Sequence, residues 1–184
     1  MLSAIHNHWL VEAERIISPN FDDRPEARID LLVVHNISLP PGQFGGPYIS
    51  QLFTNQLVAR EHPYFQEIAT LQVSSHLLIR RNGAVIQFVP FDKRAWHAGS
   101  SCYQQETNCN DFSIGIELEG TDDQAYEESQ YLRLADVTRA LMRSYPGIHE
   151  GRITGHSEIA PGRKTDPGPA FDWRRYRQLL KSGD

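Results

Sequence analysis

Long apolar runs and a secretory leader are absent from this 184-residue sequence. No uninterrupted apolar stretch approaches the roughly 18 residues that a transmembrane helix needs. The first 17 residues carry His6, Glu12 and Glu14 among their apolar residues, without the basic start and small-residue cleavage site of a signal peptide. We therefore expect a cytoplasmic protein with no membrane partner. A leader removed before the first residue is the alternative.

Positive charge and cysteine are also scarce. The formal net charge is −5, whereas a nucleic-acid-binding surface needs clustered lysine and arginine, so we expect no nucleic-acid partner. Cys102 and Cys109 share one polar loop, and no second pair exists to build a zinc finger. Free thiols are expected in a cytoplasmic protein, and a small disulfide in an oxidising compartment.

The composition is that of one globular domain. Hydrophobic residues make up 40% of the chain and charged residues 22%, which is ordinary for a folded domain. No internal repeat, linker or low-complexity segment divides the sequence. We therefore predict a single domain spanning residues 1–184, with no obligate protein partner.

Apolar patterning predicts several strands. The predicted strands are 30–36, 75–80, 84–89, 113–120 and 152–156. Asn82-Gly83 between two of them predicts a hairpin whose turn positions both have positive φ. In the strand 113–120, Ile114 and Ile116 alternate with Glu117 and Glu119, so two carboxylates are predicted on the face opposite the core.

Helical spacing of apolar residues predicts three helices. These are 48–60, 127–145, which Pro146-Gly147 ends, and a last helix that Asp172 caps and that carries Trp173, Tyr176 and Leu180. Strands mixed with helices predict an α/β domain with a mixed central sheet flanked by helices.

Histidine and carboxylate residues near strand ends suggest a metal site. His35 and His156 each end a predicted strand, and Asp166 follows in a Pro- and Gly-containing loop that can fold back towards His156. Two imidazoles and a carboxylate are a natural ligand set for catalytic Zn²⁺, which uses three protein ligands and keeps a place for water. Each histidine could instead be a hydrogen-bonded structural residue, and a structural zinc would need a fourth protein ligand.

Four segments resemble the amidase-2 family of N-acetylmuramoyl-L-alanine amidases. They are residues 33–42 (VVHNISLPPG), 95–99 (AWHAG), 113–120 (SIGIELEG) and 155–168 (GHSEIAPGRKTDPG). Within that family, whose relatives include T7-type lysozyme amidases and peptidoglycan recognition proteins, the chain is most similar to the cytoplasmic enzymes of peptidoglycan recycling. The resemblance runs from about Trp9 to Tyr176. It implies hydrolysis of the amide between 1,6-anhydro-N-acetylmuramic acid and L-alanine, and restraint of β-lactamase induction where that circuit exists.

The resemblance also implies roles for individual residues. His35, His156 and Asp166 would bind Zn²⁺, Glu117 would transfer protons, and Lys164 would stabilise the charged intermediate. Glu119 competes with Glu117 for the acid–base role, because it shares the same face of the strand. Lys164 could equally be a solvated loop residue.

Substrate contacts are predicted at Asn36, Tyr64, Trp96 and His97, each with a structural alternative. Asn36 could orient the metal site, Trp96 and Tyr64 could be packing residues, and His97 could be structural. His76 is more simply a core histidine than a contact, and Phe65 could line the same cleft.

The residues expected to bind the acidic parts of the substrate differ from the family pattern. Gln72 and Asn108 stand where the relatives carry arginine, and Arg80, Arg81 or Arg163 could substitute. The acidic charge favours a small soluble muropeptide over the polyanionic wall. Two rival functions remain: an exported or phage-type amidase on intact wall, and a non-catalytic muropeptide-binding module.

Overall fold

The computed structural model describes residues 3–182. Within this range the strands are β1 (Ile5–His6), β2 (Trp9–Leu10), β3 (Glu14–Arg15), β4 (Phe21–Asp23), β5 (Leu31–Ile37), β6 (Leu77–Ile79), β7 (Val85–Gln87), β8 (Lys93–Ala95), β9 (Cys102–Tyr103), β10 (Glu106–Thr107), β11 (Ser113–Glu119) and β12 (Ile153–Gly155). The α-helices are α1 (Tyr48–Phe53), α2 (Phe65–Ile68), α3 (Glu128–Ser144), α4 (His156–Ile159) and α5 (Trp173–Lys181). Short 3₁₀ turns occupy Ala59–Glu61, Cys109–Asp111 and Glu150–Arg152.

A six-stranded sheet in the order β12-β5-β11-β6-β7-β3 forms the centre of the fold. β5 is parallel to both β12 and β11, and β11 is parallel to β6. β6 and β7 form an antiparallel hairpin, and β3 runs parallel to β7 at the edge. The predicted single α/β domain with a mixed sheet flanked by helices is therefore confirmed.

Helices cover both faces of this sheet. α3 and α5 pack on one face over Leu32, Val34 and Ile116, while α1 and α2 pack on the other over Leu78 and Ile86. Burial on both faces is what strands in a parallel arrangement require. All seven residues of β11 are consequently buried, including the two glutamates on the face opposite Ile116.

Several predicted boundaries differ from the structure, and two of these differences lie close to the site. The helix predicted over 48–60 ends at Phe53 because Asn55 has a left-handed φ of 59°; the Asn55 side chain pairs with Asn20. The strand predicted to end at His156 ends at Gly155, and His156 begins α4.

The hairpin prediction was right in position but wrong in turn type. Within the turn only Gly83 has a positive φ, of 82°, and its N–H donates to the carbonyl of Arg80 at 2.8 Å. A type I turn followed by a left-handed glycine therefore replaces the expected two-residue turn.

The two long helices begin where the sequence indicates. The Glu127 N–H donates to the Gln130 side chain at 3.1 Å at the start of α3, and the Asp172 carboxylate accepts from the Arg175 N–H at the start of α5. The domain bounds of 1–184 stay a prediction, because residues 1–2 and 183–184 lie outside the described part. Among residues 3–182, no helix combines the length and apolarity that a membrane crossing demands.

Candidate active site

Three side chains from separate parts of the chain converge beside the end of β5. His35 Nδ1 lies 2.9 Å from His156 Nδ1 and 3.1 Å from Asp166 Oδ2. His156 Nδ1 lies 3.0 Å from the same carboxylate oxygen. These are the three residues that the sequence analysis proposed as metal ligands. The structure places them in one cluster that could hold a metal ion.

Sheet order explains the convergence. β12 pairs in parallel with β5, so His35 and His156 emerge at the same sheet edge. The loop after α4 returns to this edge because the Ser157 N–H donates to the Asp166 carbonyl at 2.9 Å. Asn36 holds the same loop, since its amide group donates to the Pro167 carbonyl at 3.1 Å.

The donor set fits a zinc ion. Two imidazole nitrogens and one carboxylate oxygen are ligands of the kind and number that catalytic zinc sites use. Ligand atoms bonded to one tetrahedral zinc at about 2.0–2.1 Å stand roughly 3.3 Å apart, close to the observed 2.9–3.1 Å. His156 Nε2 lies 3.1 Å from the Ala98 carbonyl, which can only accept, so its proton sits there and its Nδ1 is bare.

Burial favours the neutral form of His35. His35 and His156 are 1% and 3% exposed. Burial lowers the pKa of His35 to about 4, against the opposing influence of the neighbouring Asp166 carboxylate. Burial alone would raise the pKa of Asp166, but its interactions with His156 and His35 outweigh it, and the pKa of this carboxyl is lowered. A neutral His35 imidazole and an ionised Asp166 carboxylate are in the protonation states that metal binding needs.

An open cleft of about 360 Å³ is lined by two members of this cluster, His156 and Asp166. Its polar lining includes Glu117, Lys164 and Ser38, and its other lining residues include Tyr64 and Trp96. The apolar wall is completed by Ile37, Leu39, Leu52, Phe53, Ile68, Leu71 and Val73. The cleft therefore combines charged groups with an apolar surface able to hold a ligand.

The Glu117 carboxyl is buried without the partners that would fix its charge. It stands beside His35 in the register of β11 and β5, and its Oε2 has no hydrogen-bond partner among the described residues. Burial, and next the charge of Asp166, raise the pKa of Glu117 well above its ordinary value, although Lys164 opposes them. A buried carboxyl with a raised pKa in a cleft has the features of a proton-transfer group.

Glu119 has a different environment on the same strand face. Its carboxylate accepts from Arg80 Nη1 at 3.0 Å and from the N–H groups of Gly45 and Arg81 at 2.7 and 3.1 Å. These bonds tie the loop before α1 and the β6–β7 hairpin to the sheet. Glu119 is thus occupied by structural contacts, and it does not line the cleft.

The predicted substrate contacts fall into two groups. Tyr64, 37% exposed, and Trp96 line the cleft. Asn36 and His97 also line it, but Asn36 donates to Asp122 and Pro167. The two ring nitrogens of His97 lie within 3.1 Å of His35 Nε2 and Ser113 Oγ.

Arg80, Arg81 and Arg163, which could have replaced the substrate-binding arginines of the relatives, bind other groups of the protein. Arg163 Nη2 donates to the carbonyls of Ala98 and Ser100 at 2.6 and 2.7 Å. Arg80 binds Glu119, and Arg81 binds the Ala125 carbonyl. None of the three lines the cleft, whereas Lys164 is exposed and does.

Nothing in the sequence indicated a partly buried arginine behind the site. Arg24 donates to the carbonyls of Asn110, Asp111 and Ser113 at 2.8–3.1 Å, and burial lowers its pKa to about 10. It also contacts His76, whose Nδ1 accepts from the Gly115 N–H at 3.0 Å. His76 is therefore a hydrogen-bonded core residue. A lone arginine in a loop gives no sequence signal of this role.

Comparison with known proteins places the chain in a family. Residues 25–169 match the Amidase_2 family, described as N-acetylmuramoyl-L-alanine amidase. The chain belongs to this family and is an N-acetylmuramoyl-L-alanine amidase.

The chain is also similar to individual amidases within this family. The chain is 63% identical to the 1,6-anhydro-N-acetylmuramyl-L-alanine amidase AmpD of Salmonella typhimurium (strain SL1344), over 94% of this chain and 92% of that protein. The crystal structure of a Se-Met AmpD derivative superposes with a TM-score of 0.94 at 60% identity, covering 96% of this chain and 98% of the other. AmpDh3 from Pseudomonas aeruginosa, solved in complex with anhydromuramic pentapeptide, has a TM-score of 0.65 at 27% identity, covering 97% of this chain and 66% of that one.

Proposed function

We propose that this amidase is zinc-dependent and cleaves the amide bond between 1,6-anhydro-N-acetylmuramic acid and the L-alanine of a stem peptide. The observation that carries the proposal is the cluster of His35, His156 and Asp166, whose ligand atoms lie 2.9–3.1 Å apart. His156 and Asp166 line the same cleft as Glu117 and Lys164. When bound there, a zinc ion supplies a Lewis acid that polarises the scissile carbonyl and acidifies the attacking water.

Glu117 is the proposed proton-transfer residue. Amide hydrolysis needs a group that takes a proton from water and returns one to the leaving amine of L-alanine. A carboxyl with a raised pKa can hold that proton between the two steps. Glu117 has this property and an unpartnered Oε2, whereas the Glu119 carboxylate is held by three donors.

Lys164 is proposed to stabilise negative charge on the reacting carbonyl oxygen. Lys164 lines the same cleft as Glu117, His156 and Asp166. Its backbone N–H donates to the Ala160 carbonyl at 3.0 Å, and this bond anchors the loop. A fixed cation near a developing oxyanion lowers the barrier to attack.

The proposed substrate is a small soluble anhydro-muropeptide. Support comes from the relatives' name, 1,6-anhydro-N-acetylmuramyl-L-alanine amidase, and from the anhydromuramic pentapeptide bound to AmpDh3. Trp96 and Tyr64 offer aromatic surface at the cleft for the sugar, with Asn36 and His97 beside the cluster. The net charge of −5 suits a dissolved fragment better than a polyanionic wall.

The proposed setting is cytoplasmic recycling of the cell wall. There the reaction would release the anhydro-sugar and the free peptide. Removal of the intact muropeptide would restrain induction of a chromosomal β-lactamase where that circuit exists. No nucleic acid, membrane or obligate protein partner is part of the proposal.

Metal content and activity measured on one sample test the proposal. Purified protein is analysed for zinc and assayed on 1,6-anhydro-N-acetylmuramyl tripeptide before chelation, after it and after zinc is restored. We expect about one zinc ion per protein molecule. Hydrolysis should stop when the metal is removed and recover when zinc is restored. Activity that survives complete metal removal would refute it, and a higher rate on intact sacculi than on the soluble fragment would favour the exported-amidase alternative.

A further inference from the structure

A chain of three hydrogen bonds runs from the metal cluster into the protein interior. His35 Nε2, the nitrogen facing away from His156 and Asp166, lies 2.9 Å from His97 Nδ1. His97 Nε2 lies 3.1 Å from Ser113 Oγ, and this hydroxyl contacts the Cys109 carbonyl. We call His97, Ser113 and the Cys109 carbonyl the support chain.

The last member of the support chain sets the direction of every bond in it. A carbonyl oxygen can only accept a hydrogen bond, so the Ser113 hydroxyl donates its single proton to the Cys109 carbonyl. The Ser113 oxygen must then accept from His97 Nε2–H, which leaves His97 Nδ1 without a proton. His97 Nδ1 can only accept from His35 Nε2–H, and His35 Nδ1 is left bare towards the metal cluster.

The ring of His97 is held in place independently of His35. Its backbone N–H and that of Ala98 both donate to Asn110 Oδ1, at 3.1 and 2.8 Å. The ring also lies directly over Gly115, where an added Cβ would stand 2.5 Å from its Cγ atom. The site for this imidazole is therefore built by the backbone around it.

We propose that His97 and Ser113 are positioning residues, which fix the tautomer of His35 so that its Nδ1 lone pair is available to the metal ion. This deepens the proposed function and rests on it, because it takes His35 as a zinc ligand. It also gives His97 a role other than the substrate contact expected from the sequence. The Cys109 carbonyl is the fixed end that orients the chain.

Two sets of variants test the support chain. S113A removes the hydroxyl below His97, and S75A is its control, because Ser75 is equally buried and also donates to a backbone carbonyl, that of Gly115, without contacting a ring. H97N keeps an acceptor near the position of Nδ1, whereas H97L removes it. Thermal unfolding of each apoprotein verifies folding, and the H97N and H97L pair carries the test should S113A fail to fold.

Zinc affinity and the tautomer of His35 are the two readouts. Competition with a chelator should show zinc affinity lowered roughly 10–100-fold in S113A and H97L, with H97N closer to the wild type and S75A unchanged. In the ¹⁵N NMR spectrum of the apoprotein, His35 should carry its proton on Nε2 in the wild type. S113A and H97L should gain the form protonated on Nδ1.

Wild-type affinity and an unchanged tautomer in S113A and H97L would overturn the proposal. An equal loss of affinity in S75A and S113A would overturn it too, because any buried hydroxyl would then matter as much. The NMR measurement uses apoprotein, so it separates the two hypotheses. A wild type with the expected tautomer that fails to cleave anhydro-muropeptide would refute the proposed function and leave the support chain intact.

Discussion

Single residues in this site differ by environment more than by type. Glu117 and Glu119 lie two positions apart on one face of β11 and are 9% and 2% exposed. One faces the cleft with an unpartnered oxygen, and the other accepts from an arginine and two backbone amides. The same side chain therefore suits proton transfer at one position and structural support at the other.

Glu117→Gln should abolish most turnover while zinc stays bound. The amide cannot accept and return a proton, so kcat should fall about 10²- to 10⁴-fold, with zinc content unchanged by elemental analysis. Glu119→Gln is the matched control, because it weakens the contact with Arg80. It should lower Tm and reduce kcat far less than Glu117→Gln does. Near-normal kcat in Glu117→Gln would move the acid–base role to another group.

Asp166→Ala should lose zinc and activity together. Without its carboxylate only two imidazoles remain in the cluster, and we expect activity below about one hundredth of the wild type. Zinc analysis and the anhydro-muropeptide assay on the same preparation measure both effects. Asp123→Ala, at an exposed position in a loop, should retain both. Full activity of Asp166→Ala after chelation would show that the ligand assignment is wrong.

At the scale of elements, strand β11 is the structural centre of the site. It lies between β5 and β6, places Glu117 beside His35 and leaves room at Gly115 for the ring of His97. A glycine is required there because of this close approach, since Gly115 has no positive φ.

Gly115→Ala should therefore disturb the metal site from within the sheet. The added methyl overlaps the His97 ring, which lies 2.5 Å from the Cβ position, and overpacking of this kind costs about 1–3 kcal/mol. Thermal unfolding should show the loss of stability, and chelator competition a weaker affinity for zinc. Gly151→Ala, whose Cβ meets only the exposed His149 ring at 3.2 Å, should change neither quantity. Unaltered zinc affinity in Gly115→Ala would mean that His97 can move freely.

Local sequence patterns predicted the elements better than their limits. Alternation in residues 113–120, the helical spacing of apolar residues in 127–145 and the Asp172 cap predicted the strand and the helices in the right places, because these are local patterns. The early end of α1 was missed because it depends on Asn55, whose backbone is left-handed and whose side chain pairs with Asn20, 35 residues away.

For the site residues too, local patterns were predictable from the sequence and long-range contacts were not. His35, His156 and Asp166 could be identified by residue type and family resemblance, and the structure brings them together. Arg24 and the support chain could not be identified, because their roles depend on hydrogen bonds between distant segments, such as Arg24 to Ser113, 89 residues apart.

At the scale of the whole molecule, the metal cluster joins distant parts of the chain. His35 and Asp166 are separated by 131 residues, and His156 belongs to a third segment, at the start of α4. A ligand that binds only this folded arrangement stabilises the entire fold, because the unfolded chain cannot hold the three groups together.

Zinc should accordingly raise the Tm of the apoprotein. At free zinc about 100-fold above Kd the stabilisation is about 2.7 kcal/mol, or roughly 5–10 °C for a domain of this size. Scanning calorimetry of chelated and zinc-restored protein measures the shift, and Asp166→Ala should show almost none. An equal shift in that variant would place the stabilising zinc at another site.

One segment, residues 96–113, reaches both metal-site histidines from outside. It supplies the Ala98 carbonyl to His156, and His97 and Ser113 to His35. If the proposed zinc site is confirmed, this segment is a compact target for changing the metal preference without altering the proposed ligands. Combinatorial libraries confined to this segment would alter imidazole basicity at two ligands together, and selection with cobalt or manganese would reveal how much metal preference is encoded there.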